Sequence, residues 1–283
     1  MSNNFDFHLH STASDGSETV PELLESIKES NIQFFSLTDH DTMIGTLEME
    51  KLVPDSIQFV RGIEFSCKTP YHKCHILGYD FDPKHPAISH ALDALVQLRR
   101  KKLYYRVSFL EKHFGIVLNE KEADWLFAQT SPGKPHFGKI LVERGLAPDI
   151  NSAIEKYIKP CKDENDRIDA QFAIQAIIDS GGIPVWAHPL GGEGEKTLTK
   201  EEFHQQLEKL ISDGIRGLEC FYSRYTQEKI DFLVEQAQKH NLLISGGSDY
   251  HGKMKNNLRI GKLNAEDVDV DKEALTLYNY LSK

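Results

Sequence analysis

Apolar and polar positions along the chain follow two different periods. Short apolar runs predict seven β-strands: Phe5–His10, Phe34–Leu37, Ile57–Glu64, Lys73–Tyr79, Ile183–Ala187, Gly217–Phe221 and Leu243–Ser245. Between several of them, longer segments with helical spacing predict helices: Val20–Ser30, Ala170–Ser180, Lys200–Ser212 and Gln227–Lys239. This alternation is typical of βα units around a parallel sheet, so we predict an α/β barrel.

The alternation stops after the fourth predicted strand. From Pro86 to about Arg167 the pattern is helical throughout, including the charged stretch LVQLRRKKLYYRVSFLEKHF. We therefore predict a barrel formed by residues 1–82 and 168–283, into which residues 83–167 are inserted as a helical subdomain. Because an insertion between βα units lies near the barrel rim, we expect this subdomain to cap the barrel mouth.

The charge balance limits the possible partners. The chain has 283 residues, with 33 Lys and Arg against 43 Asp and Glu, and a formal net charge of −10. This excludes a broad basic surface for duplex DNA, and the basic run Arg99–Lys102 is interpreted as a solvated helix face. No apolar stretch is long enough for a membrane span, and no secretory signal is visible. The four cysteines lack a C-x-x-C pair, which is typical of reduced thiols, so we expect a cytoplasmic protein.

The first predicted strand, FDFHLH, carries two histidines on one face. Its period of two places the three apolar side chains on one side and Asp6, His8 and His10 on the other. Both imidazoles therefore point the same way and can reach one divalent ion, whereas in a packed core each would need its own hydrogen-bond partner. This H-x-H pair alone leaves both interpretations open.

Ligand-type residues recur in the later strands. The segments SLTDHD, RGIEFS, KCHILGY, VWAHPLGG and SGGSDYHG supply, in that order, Asp39 with His40, Glu64, His75, His188, and Asp249 with His251. In βα barrels the C-terminal ends of the strands form the face on which chemistry takes place. Histidines from solvated loops would not fall at these ends each time, so we predict a metal site there.

These motifs resemble those of the PHP family, named for polymerase and histidinol phosphatase, whose metal motifs read H-x-H, T-D-H, Glu, His, A-H-P and S-D-x-H. The resemblance covers nearly the whole chain and implies a distorted seven-stranded (β/α)7 barrel with about three divalent ions at its mouth. Carried over by motif, one ion would be held by His8, His10, Glu64 and Asp249, a second by Glu64, His75 and His188, and a third by Asp15, His40 and His251.

The ions implied by the resemblance are Mn, Mg, Fe or Zn. Some family members place His where Asp15 stands, and the hard oxygen ligand in this chain favours Mn²⁺ or Mg²⁺. Asp6 and Asp39 match positions that support an imidazole or a loop, so we expect them to orient ligands instead of binding metal.

Such a site is suited to phosphate chemistry. Three divalent ions among three carboxylates and neutral imidazoles leave a charge of roughly +3, which phosphate oxygens would balance. A metal-activated hydroxide could attack phosphorus without a protein nucleophile, and neither G-x-S-x-G nor a phosphate loop occurs in the sequence. Protonation of the leaving group would fall to His188 or His251, or to a metal-bound water. We therefore predict a metal-dependent phosphoric ester hydrolase.

Within the family, the chain resembles the nucleoside 3′,5′-bisphosphate phosphatases and the 5′-to-3′ exoribonucleases that act on short RNA. The matching segments are GKPHFGKILVERG, GLECFYSRYTQE and GGSDYHG. Lys134, His136 and Arg224 are the candidates for contacting phosphate or base, with an exposed or helix-capping side chain as the alternative for each. The subgroup usually has Arg where Lys134 stands, and Lys loses the bidentate fork. The nearby aromatic residues Phe137, Phe221 and Tyr222 fit the core better than a base platform.

We therefore expect hydrolysis of the 3′-phosphate of a nucleoside 3′,5′-bisphosphate, or release of nucleotides from short single-stranded RNA. A histidinol-phosphate phosphatase is the alternative enzyme, although the insertion motifs and Asp15 argue against it. A non-catalytic, metal-stabilised binding module is the alternative of another class. Such a module would be expected to have lost ligands, whereas every motif position is filled in this chain.

Overall fold

The computed structural model describes residues 3–129, 133–161, 167–192, 196–252 and 258–282. The chain divides into two compact units. The first unit consists of residues 1–92 and 168–283, and the second unit consists of residues 93–167.

The first unit is built on one twisted sheet. Its strands are β1 (Phe5–Asp6), β2 (Phe34–Leu37), β3 (Gln58–Lys68), β4 (Lys73–Tyr79), β5 (Ile168–Asp169), β6 (Ile183–Trp186), β7 (Gly217–Tyr222) and β8 (Leu243–Gly247). Seven strands follow the order β1-β2-β3-β4-β6-β7-β8, and the two-residue β5 pairs with β3. The two edges meet, because the Asp249 N–H donates to the His8 carbonyl oxygen at 2.9 Å and the His10 N–H donates to that of Tyr250 at 2.9 Å. This confirms the predicted seven-stranded α/β barrel.

Strand β4 runs against the predicted direction. It pairs antiparallel with both β3 and β6, whereas the β1-β2-β3 and β6-β7-β8 pairings are parallel. Only the turn from Thr69 to His72 connects β3 to β4, and so short a link cannot make the crossover that parallel strands need. The expectations of a wholly parallel sheet and of His75 at a C-terminal strand end are therefore wrong. His75 lies near the start of β4 and pairs with Ser66, beyond Glu64 on β3.

The helices of the first unit begin and end close to their predicted bounds. They are α1 (Val20–Glu29), α2 (Ile44–Leu52), α3 (Pro86–Phe114, which continues into the second unit), α7 (Ala170–Asp179), α8 (Lys200–Ser212), α9 (Gln227–Lys239) and α10 (Thr276–Leu281). Capping explains the accuracy at α1 and α8, where a Thr and a Glu three residues later satisfy each other's backbone N–H groups. Apolar spacing does not predict α2, whose buried face is made of Gly45, Thr46 and Met49 and has a weak apolar period.

The second unit is helical, with α4 (Glu120–Phe127), α5 (Lys134–Glu143) and α6 (Ile150–Ala153) following α3. It has its own apolar core, which includes Leu110, Leu126, Phe137, Leu141 and Ile158, all at most 1% exposed. Across both units, no helix among the described residues is long and apolar enough to span a membrane.

Candidate metal centre

The segment that follows β1 places His8 and His10 inside the barrel. Both residues are fully buried, and their Nε2 atoms each lie 3.2 Å from Oε2 of Glu64 on β3. Gly247 on β8 permits this arrangement, because a Cβ there would lie 2.2 Å from the His8 Cβ. The period of two in FDFHLH therefore points both imidazoles toward one carboxylate.

Glu64 is the central carboxylate of the site. Three further imidazole nitrogens surround it: His40 Nδ1 at 3.1 Å, His188 Nε2 at 3.2 Å and His75 Nδ1 at 3.4 Å. Burial alone would raise the pKa of Glu64, but the neighbouring imidazoles hold this pKa well below its usual range. The carboxylate is thus ionised and can bind a cation.

Asp15 occupies the outer side of the same cluster. Its carboxylate lies 3.3 Å from His251 Nε2, 3.7 Å from His10 Nδ1 and 3.9 Å from His40 Nε2. The Asp15 side chain is 57% exposed, whereas Glu64 and Asp249 are buried. This is the solvent-facing part of the cluster.

The predicted ligands come together in three overlapping groups. These groups are His8, His10 and Asp249; His40, Glu64 and His75; and His10, Asp15, His40 and His251. His188 lies beside the second group, with Nε2 3.3 Å from His75 Nδ1 and 3.2 Å from Glu64 Oε1. The structure differs from the motif assignment mainly in sharing His10 and His40 between groups.

Atoms without hydrogen-bond partners show that the cluster fits cations. Among the described residues, buried atoms that lack a partner include His8 Nε2, both ring nitrogens of His10, His40 Nδ1 and Glu64 Oε2. Leaving such a group unsatisfied costs about 1–3 kcal/mol each, so this donor set fits bound cations. Burial lowers the pKa of His8, but Glu219 and Glu64 outweigh it and raise that pKa well above the usual value. A divalent ion would take the place of the proton.

Asp39 and Asp6 hold the backbone around the ligands. Asp39 accepts hydrogen bonds from Ser11 N at 2.8 Å, Ser11 Oγ at 2.7 Å and Ser14 Oγ at 2.6 Å, and so holds the loop that carries Asp15. Asp6 accepts from the backbone N–H groups of residues 8, 248 and 261, and burial raises its pKa to about 6. Neither carboxylate belongs to a ligand group within the described ranges.

Two residues that the motifs do not indicate support the ligands. Glu219, in the middle of β7, accepts from His8 Nδ1 at 2.8 Å and from the His188 backbone N–H at 2.7 Å. Tyr222 donates from its hydroxyl to Asp249 Oδ2 at 2.9 Å. A charged residue inside the apolar strand GLECFY was the available signal for Glu219. His188 and Asp249 also have positive φ angles of 30° and 56°, a backbone strain that is common at functional sites.

The substrate-contact candidates lie in both units. Arg224 is exposed and follows β7 in the first unit, and Lys134 is the exposed first residue of α5 in the second unit. His136 accepts the Gly133 N–H through Nδ1 at 3.0 Å, so it caps α5 and has Nε2 as its hydrogen-bond donor. The aromatic residues Phe137, Phe221 and Tyr222 are at most 8% exposed and belong to the core.

A barrel that gathers six imidazoles and three carboxylates at one site defines a metal-dependent hydrolase. The chain belongs to the PHP domain family, whose sequence profile matches residues 6–279. The family resemblance drawn from the motifs is thereby confirmed.

Two curated relatives and one solved structure are similar over most of their length. The chain is 27% identical, over 88% of its length and 87% of the relative's, to a 3′,5′-nucleoside bisphosphate phosphatase from Chromobacterium violaceum. It is 28% identical, over 89% and 91%, to a 5′-3′ exoribonuclease from Haemophilus influenzae. A Bifidobacterium adolescentis protein assigned to the metal-dependent phosphoesterases superposes with a TM-score of 0.71 at 25% identity, covering 96% of this chain and 98% of that one.

Proposed function

We propose that this metal-dependent phosphoesterase removes the 3′-phosphate from nucleoside 3′,5′-bisphosphates and releases nucleotides from short 5′-phosphorylated RNA in the cytoplasm. The observation that carries the proposal is the buried Glu64 carboxylate within 3.4 Å of five imidazole nitrogens, several of which have no hydrogen-bond partner. The named activities of the two curated relatives support the substrate class.

The proposed site holds about three divalent ions, with Mn²⁺ or Mg²⁺ favoured by the three carboxylates. The proposed ligands are His8, His10, Asp15, His40, Glu64, His75, His188, Asp249 and His251. Such ions supply Lewis acidity to a phosphoryl group and lower the pKa of water toward neutrality. With water activated in this way, the reaction would need no nucleophilic side chain of the protein.

The hydrogen bonds of His251 favour a ligand role over that of a proton donor. His251 Nδ1 lies 2.8 Å from the Asp249 carbonyl oxygen, so Nδ1 carries the proton and donates it. The Nε2 lone pair then faces Asp15. His188 Nε2 faces Glu64 and His75 in the same way. We therefore assign both rings to ligation first, and leaving-group protonation to a water in the site.

The second phosphate of a bisphosphate has to be recognised by side chains outside the ligand cluster. Lys134 and Arg224 are exposed cations, and His136 carries an Nε2–H donor. We propose that Arg224, which belongs to the same unit as the ligand cluster, binds the 5′-phosphate, so that the 3′-phosphate is the one hydrolysed. Lys134 and His136 of the second unit stay candidates for contacting phosphate or base. A charge-assisted contact of this kind contributes about 1.5–3 kcal/mol, equivalent to roughly 10- to 150-fold in kcat/KM.

The test compares adenosine 3′,5′-bisphosphate, adenosine 3′-monophosphate, a 5′-phosphorylated dinucleotide and histidinol phosphate with Mn²⁺-loaded protein. Phosphate release and chromatographic identification of the nucleotide product are the measurements. We expect the bisphosphate to give the 5′-monophosphate and to be preferred over the 3′-monophosphate. Equal use of the two, release of the 5′-phosphate, or preference for histidinol phosphate would refute the proposal.

Matched variants locate the binding of the 5′-phosphate. Arg224→Ala should lower kcat/KM for the bisphosphate by about 10- to 150-fold and leave the 3′-monophosphate nearly unchanged. Lys134→Ala tests the candidate of the second unit by the same comparison. The controls are Arg216→Ala and Lys139→Ala. Arg216 is an exposed arginine that precedes the first residue of β7, and Lys139 is an exposed lysine on α5. Equal losses in the controls would contradict the assignment.

A further inference from the structure

Glu219 lies where a regular strand would not place it together with Tyr222. The two residues are three positions apart on β7, a spacing that puts side chains on opposite faces of a strand. The register of β7 against β8 shifts between Glu219 and Phe221, which is a β-bulge. The extra residue turns the strand so that both side chains reach the ligand cluster, Glu219 at His8 and Tyr222 at Asp249.

The two oxygens of Glu219 serve two different ligands. Oε1 lies 2.8 Å from His8 Nδ1, and Oε2 accepts the backbone N–H of His188 at 2.7 Å. The Glu219 oxygen is the acceptor of this contact, so the proton is on Nδ1 of His8. Nε2 faces Glu64 Oε2 and Asp249 Oδ1, 3.2 and 3.7 Å away, and is the nitrogen at which a divalent ion would take the place of a proton.

The contact with His188 fixes a backbone conformation. His188 has a φ angle of 30°, which an L-residue adopts only when its surroundings hold it there. The fully buried carboxylate provides such a constraint on the N–H of this residue. Glu219 thus orients the imidazole of His8, which follows β1, and the backbone of His188, which follows β6.

We propose that Glu219 is a positioning residue: it fixes the tautomer of His8 and the backbone of His188, so that both rings present Nε2 to divalent ions. This inference rests on the metal-binding part of the proposed function. Residues that hydrogen-bond to the far nitrogen of a ligating histidine typically change metal affinity by about 10- to 100-fold when replaced.

Glu219→Gln separates positioning from packing, because the amide has nearly the same shape. With its oxygen on the His188 N–H, its NH₂ group faces His8 Nδ1 and forces the proton to Nε2, which blocks the lone pair needed for metal. With the amide flipped, its NH₂ group faces the backbone N–H of His188, so two hydrogen-bond donors point at each other. Either orientation disturbs the ligands, whereas a purely structural side chain would tolerate the exchange.

The experiment titrates the wild type, Glu219→Gln and Asp213→Asn with Zn²⁺, measuring metal content and affinity by chelator competition. Asp213 is a buried acid at the end of α8 that pairs with Lys209, so it controls for the loss of a buried carboxylate. We expect Glu219→Gln to bind the ion at His8 about 10- to 100-fold more weakly and to retain the ion of the Asp15 group. We expect Asp213→Asn to bind like the wild type.

A spectroscopic readout tests the tautomer directly. In ¹⁵N-histidine spectra of the Zn²⁺-loaded protein, with His8 assigned by the loss of its signals in His8→Ala, the wild type should show Nδ1 protonated and Glu219→Gln should not. Equal affinity and an unchanged His8 tautomer in Glu219→Gln would overturn the inference alone. A wild type that binds no Zn²⁺ or Mn²⁺ would overturn the proposed function as well.

Discussion

Replacing Gly45 tests how closely α2 packs against Asp39, the carboxylate that holds the Asp15 loop. Gly45 lies in the first turn of α2, where helix propensity alone favours alanine by up to about 1 kcal/mol. A Cβ at this position would lie 2.1 Å from Asp39 Oδ2 and 2.9 Å from Ser11 Oγ. Gly45→Ala must therefore displace the carboxylate that holds the Asp15 loop.

The size of the effect follows from the contacts of Asp39. Overpacking costs about 1–3 kcal/mol, and losing one charge-assisted hydrogen bond, such as the 2.7 Å bond from Ser11 Oγ, costs about 1.5–3 kcal/mol. After the propensity gain of about 1 kcal/mol is subtracted, we expect Gly45→Ala to lower the free energy of unfolding by about 1.5–5 kcal/mol. Metal binding by the Asp15 group should weaken as well, because Asp39 also accepts from Ser14 next to it.

Fluorescence can follow the first unit separately. The chain has two tryptophans, Trp186 buried in the barrel and Trp125 in the second unit, so urea unfolding in a Trp125→Phe background reports on Trp186. Glu48→Ala, an exposed position on α2, is the control and should change stability by no more than about 0.5 kcal/mol. If Gly45→Ala is as stable as its parent, or more stable, the packing argument is wrong.

Two further predictions concern metal loading. Asp15→Asn, at the half-exposed edge of the cluster, should lower the content of one ion with little loss of thermal stability. His10→Ala removes a ring that two ligand groups share, so it should lower the content of both ions. Equal metal content of the two variants by elemental analysis would contradict this grouping. Chelation should abolish phosphate release and lower the melting temperature, with Mn²⁺ at 100 times its Kd restoring about 2.7 kcal/mol per site; full activity after chelation would argue against a metal-dependent enzyme.

The amino-acid sequence by itself determined the helix bounds and the residue types of the site. Capping signals and apolar spacing are local properties, so α1, α7, α8 and α9 end within one residue of the prediction. The H-x-H, T-D-H, A-H-P and S-D-x-H motifs are local too. The fold brings histidines of the first three within 3.2 Å of Glu64, and Asp249 of the fourth within 3.4 Å of His10. Local signals failed at α2, where small and polar residues replace the apolar stripe.

Only the tertiary structure decided how those side chains are combined. The reversal of β4 places His75 beside the end of β3, and the bulge in β7 turns Glu219 and Tyr222 toward the same cluster. The sharing of His10 and His40 between ligand groups likewise depends on strands far apart in the chain. Strand direction, register and bulges are set by pairing between distant segments, and periodicity within one segment carries no information about them.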